Sequence, residues 1–479
     1  MKTIAAVIGL SLAAAAVQSF ASQTVLVMQD GASLRAAARD SSPQQAQLLR
    51  GEALEVRGER LDWLQVWDYR RERGGFLRKS QGLVLTGDTG TLLAQLRLTL
   101  PQEGNEGLGL ALAAAYIQAA APTELAGPLG GEVLDDLGRL GERIAANTGP
   151  KRAGLLDVAS RYGLHFDSYD QVDGSVRVCY DGDAFRRVLS LPATASVKAR
   201  AALAITRPEC RATSLTPSQL QASDDWRAEV LQHARLDGLA GFEKNRLLLR
   251  RASVAASRAF ARRDAVIAAE ALADFAQVEP IELPEDDQAD YNDTAMRVNA
   301  MRWLAVPASA ESRLGSAGLV LTLDKGVSTG EQCLQLANTN GDAKGQALSR
   351  KCSFGAAMLA SATMNREGTA IAIAAQPLDG WRELWVLRKA AGQWTLDVLP
   401  PSVAAPGLGY AEFAGWVPGG QQILVVSESR AEGRYASRRF AQLDLATLTA
   451  QRQSGEPKAL GSFQRWADAA WSGASLSLR

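Results

Sequence analysis

Few residues in this 479-residue chain are of the types that do chemistry. There are two histidines, His165 and His233, and four cysteines, Cys179, Cys210, Cys333 and Cys352. Gly326-Val327-Ser328-Thr329-Gly330 has the G-x-S-x-G spacing that can lift a nucleophilic serine onto a sharp turn between a strand and a helix. That device needs a helix directly after it and a histidine later in the chain. Here Glu331 to Leu336 reads as a strand and both histidines lie upstream, so the match is a chance one in a turn. Gly107-Leu108-Gly109 opens a helix, but position 112 is Leu rather than Gly or Ala and no clear strand precedes it. The backbone could not wrap a pyrophosphate there, and a helix-start turn is the reading. With no Walker loop, H-E-x-x-H or EF-hand spacing, the sequence indicates no catalytic residue, no cofactor and no metal site.

Three groups of residues could still bind. His165, Asp167, Asp170, Asp173, Asp181 and Asp183 surround an expected β-hairpin. They could hold a cation or share acid–base work. Asp170 and Asp173 also sit where turns favour Asp, Asp181 or Asp183 could cap a helix beginning at Ala184, and His165 between Leu164 and Phe166 reads as a partly buried structural residue. His233 stands alone on a helix. Lys244, Arg246, Arg250, Arg251, Arg258, Arg262 and Arg263 give one helix a strongly basic face, expected to be solvated and paired with acids such as Glu243 and Asp264. Trp63, Trp67, Tyr69 and Phe76 cluster near the N-terminus, with Trp63 and Trp67 on one face of a strand. They form the candidate binding surface.

Bulk properties narrow the partners. Basic and acidic residues number 52 each, which gives no global attraction for nucleic acid or an anionic bilayer. Met1-Lys2, the uncharged stretch Ile4 to Val17, and Ser19-Phe20-Ala21 have the layout of a secretory signal peptide cleaved near Ala21. No later segment is apolar enough to span a membrane. The mature chain is therefore expected in the periplasm or outside the cell. Four cysteines without C-x-x-C, in a chain with two histidines, read as two disulfides. Of three connectivities, Cys179–Cys210 and Cys333–Cys352 is favoured, since each pair then falls within one domain.

The elements that must position these residues suggest a multidomain α+β chain. The expected parts are a signal peptide (1–21), a small β domain (22–87), a mainly α-helical domain (88–277) with a hairpin near 165–180, an acidic linker (278–293) and a β-rich domain (294–479). Gly51 to Val56 and Trp63 to Trp67 alternate polar with apolar, as half-buried strands do. With Ser33-Leu34-Arg35, Leu48-Leu49-Arg50-Gly51, Asp62-Trp63 and Gly75-Phe76-Leu77, residues 24–86 resemble a bacterial SH3-like domain, which implies a small β-barrel and envelope targeting. The glycine usual after the Val-Arg-Ser element of such domains is absent here, and Phe76 stands where Trp is common in their Gly-Trp-Val element. In the C-terminal part, Glu367 to Ile373 leading into Glu383 to Leu387 is echoed 52 residues later by Gly419 to Val426 leading into Ala441 to Leu445. With Trp416-Val417-Pro418-Gly419-Gly420, this resembles propeller-type repeats and implies roughly four blades; a twisted β-sandwich is the alternative.

The expectation for function is an exported envelope binding or scaffold protein, its SH3-like module contacting cell-wall peptide or a protein partner, without catalysis. The alternatives are a cell-wall hydrolase using carboxylates near 165–183, and a structural component of an envelope assembly.

Overall fold

A computed structural model describes residues 23–171, 174–307, 311–315, 318–339, 346–403, 406–431 and 433–470. The expected signal peptide and Asp173 lie outside these residues. The chain forms two compact units. One comprises Met1–Asp167 and Val178–Pro192, the other Ser168–Arg177 and Ala193–Arg479. The helices expected between 88 and 277 are thus shared between the units.

In the first unit, β1 (Gln23–Val27), β2 (Ala32–Arg35), β3 (Gln44–Leu48), β4 (Ala53–Arg60), β5 (Trp63–Asp68), β6 (Arg73–Arg78) and β7 (Gly82–Val84) form one sheet in the order β3-β2-β6-β5-β4-β1-β7. The expected closed barrel is not formed: β3 and β7 remain as edges. β7 has three residues and all pair with β1, while β2 meets β6 through Arg35↔Phe76. The three residues of β7 offer few backbone groups for pairing across the gap to β3. Leu64 and Val66 turn inward to join Val25, Val27, Leu34, Leu48, Leu54 and Leu77 in a small core. The period of two sends Trp63, Gln65 and Trp67 to the other face.

The helices of this unit are α1 (Thr89–Thr99), α2 (Glu106–Ala119), α3 (Pro122–Leu125), α4 (Pro128–Ala146), α5 (Arg152–Arg161) and α6 (Asp183–Ser190). The hairpin β8 (Phe166–Asp170) and β9 (Val176–Tyr180) lies between the last two. α2 is apolar on all sides and correspondingly buried, with Leu108, Leu110, Leu112, Ala113 and Tyr116 in one core together with Leu26 of β1. The glycines of the Gly-Leu-Gly step serve packing. Gly51, at φ +86°, lies so close to the start of α2 that a Cβ there would collide with the Gly107 carbonyl, and a Cβ on Gly107 would press on Arg50 O.

In the second unit, α7 (Ala195–Ile205), α8 (Pro217–His233), α9 (Gly241–Arg262), α10 (Ala265–Ala276) and α11 (Gln288–Met301) precede the strands. Thr216 and Gln219 close a reciprocal capping box at α8, with Pro217 in the first turn. The acidic segment 278–293 is built into the fold: two 3-10 turns lead into α11, and Asp287 is buried against Arg246.

Among the described residues, twelve strands then form three successive four-stranded antiparallel meanders. These are β10 (Glu311–Leu314), β11 (Leu319–Lys325), β12 (Gln332–Asn338) and β13 (Gln346–Ser353); β14 (Ala356–Met364), β15 (Ala370–Leu378), β16 (Trp381–Ala390) and β17 (Gln393–Leu399); and β18 (Leu408–Val417), β19 (Gln422–Ala431), β20 (Arg434–Asp444) and β21 (Ala450–Ser454). The segments related by 52 residues are the second and third strands of the last two meanders. Those two merge into a sheet of eight because β16 and β18 pair in parallel through Trp381↔Gly409 and Arg382↔Tyr410. Three meanders, where length suggested four, leave room for the short helix α12 (Gly461–Trp466) and for α11, whose Met296 and Met301 share a core with Tyr410, Leu424 and Phe463.

Candidate binding surface

The outer face of the first sheet gathers the four aromatic residues and a set of arginines. Register places Trp63 opposite Arg60 and Arg78, Gln65 opposite Phe76, and Trp67 opposite Glu55 and Gly74. The Arg57 guanidinium lies 4.3 Å from the Trp67 ring centroid, Arg78 4.8 Å from Trp63, and Arg60 5.9 Å from Phe76. A cation over an aromatic face is held by the ring quadrupole; Arg57 and Arg78 direct their Nε and Nη2 N–H groups to Glu55 and Asp40, and Arg60 keeps its edge toward solvent.

The residues are not equally accessible. Tyr69 is 68% exposed, Trp67 and Phe76 are half-buried, and Trp63 is only 6% exposed. Trp63 therefore belongs to the support of the face more than to its surface. Tyr69 Oη donates to Glu55 Oε2 at 2.8 Å, and Arg57 donates to the same oxygen at 3.2 Å. The Tyr69 hydroxyl and Arg57 hold the Glu55 carboxyl below the usual carboxylate range. Arg78 is anchored by Asp40, whose carboxyl it lowers in turn.

The hairpin carboxylates do not converge. His165, Asp167 and Asp170 are exposed, and no group of three or more His, Cys, Asp or Glu among the described residues could hold a metal ion. The exposure of His165 corrects the reading of it as partly buried: it sits at the end of a turn, where only its backbone carbonyl is used, accepting from Asp181 N. Asp181 accepts from the Asp183 N–H at 3.0 Å, so it serves the first turn of α6, and Asp183 pairs with Arg187 at 2.9 Å. His233 is exposed at the end of α8, with Nδ1 2.7 Å from Glu229 O.

The basic helix proves to be a clamp. Arg250 donates to Thr206 O beyond the end of α7 at 2.7 Å, and Arg227 of α8 donates to the same carbonyl at 2.8 and 3.0 Å. Arg251 reaches Leu231 O and Ala234 O, the last carbonyls of α8, and Arg258 and Arg262 pair with Asp225. These cations satisfy carbonyls that helix ends leave without partners. Burial opposes the charge on Asp225, but Arg258 and Arg262 hold its carboxyl below the usual range.

Ser328 lies in the hairpin loop between β11 and β12. Glu331 Oε2 accepts from the Val327 and Ser328 N–H groups, and no helix follows. Cys333 and Cys352 face each other across β12 and β13 and are bonded; Cys179 and Cys210 are also disulfide-bonded, and no cysteine is free. Two disulfides fit an exported protein. No helix among the described residues is long and apolar enough to cross a membrane.

One constellation escaped sequence reasoning. Arg302, Arg382 and Glu412 are 4%, 0% and 4% exposed in the second unit. Arg382 Nη2 donates to Glu412 Oε2 at 3.1 Å, its Nη1 donates to Asn299 O at 2.9 Å, and Arg302 pairs with Glu412 Oε1. A charged residue following Trp381 at the start of an apolar strand was the available signal, but Arg at a strand start is ordinarily solvated. Comparison of the chain with protein-family models, curated proteins and solved structures returns no match.

Proposed function

We propose that this chain is an exported, periplasmic or secreted envelope protein that binds rather than catalyses. Its SH3-like N-terminal sheet contacts cell-wall peptide through Trp67, Tyr69 and Phe76 with Arg57, Arg60 and Arg78. The observation that carries this reading is the layer of guanidinium groups over aromatic rings on one exposed sheet face. Apolar stems of a peptide would stack on the rings while a carboxylate takes the Arg60 N–H groups or exchanges with Asp40 at Arg78. The two disulfides and the secretory layout of residues 1–21 support export, and the 52-residue β repeats supply a propeller-like scaffold in the second unit.

The test is co-sedimentation of residues 22–479 with purified cell-wall sacculi, beside Trp67→Ala/Tyr69→Ala in the same chain. The expected result is pelleting of the unsubstituted protein, weakened about tenfold or more by the double substitution and reduced by salt. Absence of pelleting by the unsubstituted protein would sink the reading. Capture of one protein partner through the same face by crosslinking in intact cells would replace cell-wall peptide as the ligand.

A further inference from the structure

The Arg302–Glu412–Arg382 cluster borders a cavity of about 240 Å³ within the second unit. It lies at the seam where β16 and β18 pair, and it is lined by Trp303, Ser361, Thr363, Arg382, Glu412 and Phe413 among others. Two guanidinium groups share one carboxylate here. Arg382 is fully buried, yet its Nε has no hydrogen-bond acceptor; Nε and Nη1 of buried Arg302 have none either. Asp468, which also lines the cavity, has its carboxylate engaged by the Ala470 N–H. Buried cations with unused donors are costly unless an anion completes them.

We propose that this cavity binds a small apolar monocarboxylate, whose carboxylate accepts from the unused Nε–H of Arg382 and whose body lies against Trp303 and Phe413. The size fits. An apolar cavity of about 150 Å³ takes benzene, so this one accommodates a body of about that size with its carboxylate. The lining alanines 360, 362 and 374, with Leu384, make the rest of the wall largely apolar, and Arg382 is the one cation among the lining residues. The site is independent of the N-terminal face.

The experiment uses residues 22–479 and benzoate as probe, with benzamide as its neutral isostere, followed by calorimetry and tryptophan fluorescence. Benzoate is expected to saturate one site with Kd of about 0.1–1 mM, and benzamide to bind about tenfold more weakly or worse. Arg382→Lys should weaken benzoate. Because that buried change could disturb folding, Ala360→Leu provides the second arm: it fills the cavity, leaves the ionic cluster in place, and should abolish benzoate binding with an unchanged unfolding temperature. The proposal is overturned if benzoate gives no saturable signal up to about 10 mM, if benzamide binds equally well, or if Ala360→Leu binds as the unsubstituted protein does. Inorganic phosphate binding more tightly than benzoate would overturn the carboxylate assignment.

Discussion

Glu52 offers the sharpest test of what holds the first unit together. Its side chain is 1% exposed and meets three arginines: Arg71 at 3.1 Å, Arg161 at 3.1 Å and Arg70 at 3.5 Å. Arg161 lies on α5, so the carboxylate ties the sheet to the helical layer. Removing one partner of a fully buried ion pair costs about 3–5 kcal/mol. Two features lower that figure here. Each arginine keeps a second carboxylate, Asp68 for Arg71 and Asp157 for Arg70 and Arg161. The arginine side chains are also 22–47% exposed, so water screens the charges left behind. For Glu52→Gln, which retains the shape and one acceptor, about 2 kcal/mol is expected. That is about a thirtyfold loss of protection for amides in 44–84, read by hydrogen–deuterium exchange with mass spectrometry so that the second unit's unfolding does not interfere. The control is Glu59→Gln, whose partner Lys79 and own side chain are 42% and 54% exposed; it should cost under about 0.5 kcal/mol. If the two variants lose protection equally, burial of the Glu52 cluster is not what stabilises this unit.

Gly51→Ala should cost about 2–4 kcal/mol in the same exchange assay, because φ is +86° and the added methyl would meet the Gly107 backbone; an effect below 1 kcal/mol would show that α2 can shift away, on the scale of ordinary surface substitutions of about 0.5 kcal/mol. Tyr116 and Tyr180 should ionise late: burial above all, joined for Tyr116 by its bond to Glu124, pushes both up to about 12. The unfolded chain releases these protons near the ordinary tyrosine value of about 10, so the associated stability is intact below that pH and is lost as pH rises through about 12. Ultraviolet difference absorbance should show fewer phenolates in the folded than in the unfolded chain between those values; equal titration would contradict the burial of both rings.

Local rules were legible wherever the chain obeys them alone. The capping box at Thr216, the apolar helix α2, the alternation of β5 and the hairpin loop around Ser328 all follow from short-range pattern, and each lies where the pattern put it. The 52-residue echo was legible too, because a meander repeats its turn and strand spacing. Legibility ended where distant segments decide. Openness of the first sheet depends on which strands find partners, which periodicity does not encode. The arginines of α9 looked like a solvated stripe because nothing in their spacing shows that the ends of α7 and α8 deliver bare carbonyls to them. Likewise Trp63 and Tyr69 are adjacent in any sequence argument, and only the positions of Arg78 and Glu55 separate a covered ring from an open one.

Under the two binding roles proposed above, the arginines are what gives a chain of zero net charge its selectivity for anions. A guanidinium has five donors and no acceptor, so each one buried in the fold demands several oxygens. On α9 the demand is met by helix-end carbonyls and by Asp225. Around Glu52 it is met by three carboxylates shared among three cations. Such arginines stiffen the protein and leave little for a ligand. Arg60, stacked on Phe76, spends its planar face on the ring and keeps its edge, and Arg302 and Arg382 keep nitrogens that no described oxygen fills. Recognition should therefore concentrate at these two places, by different physics. The exposed face should bind weakly and lose affinity with salt, since its charges lie within reach of counterions. The buried pair should be much less sensitive to salt, since buried charges are screened far less than exposed ones. Benzoate affinity that falls with ionic strength as steeply as sacculus binding does would show that the probe had reached the surface arginines instead of the cavity.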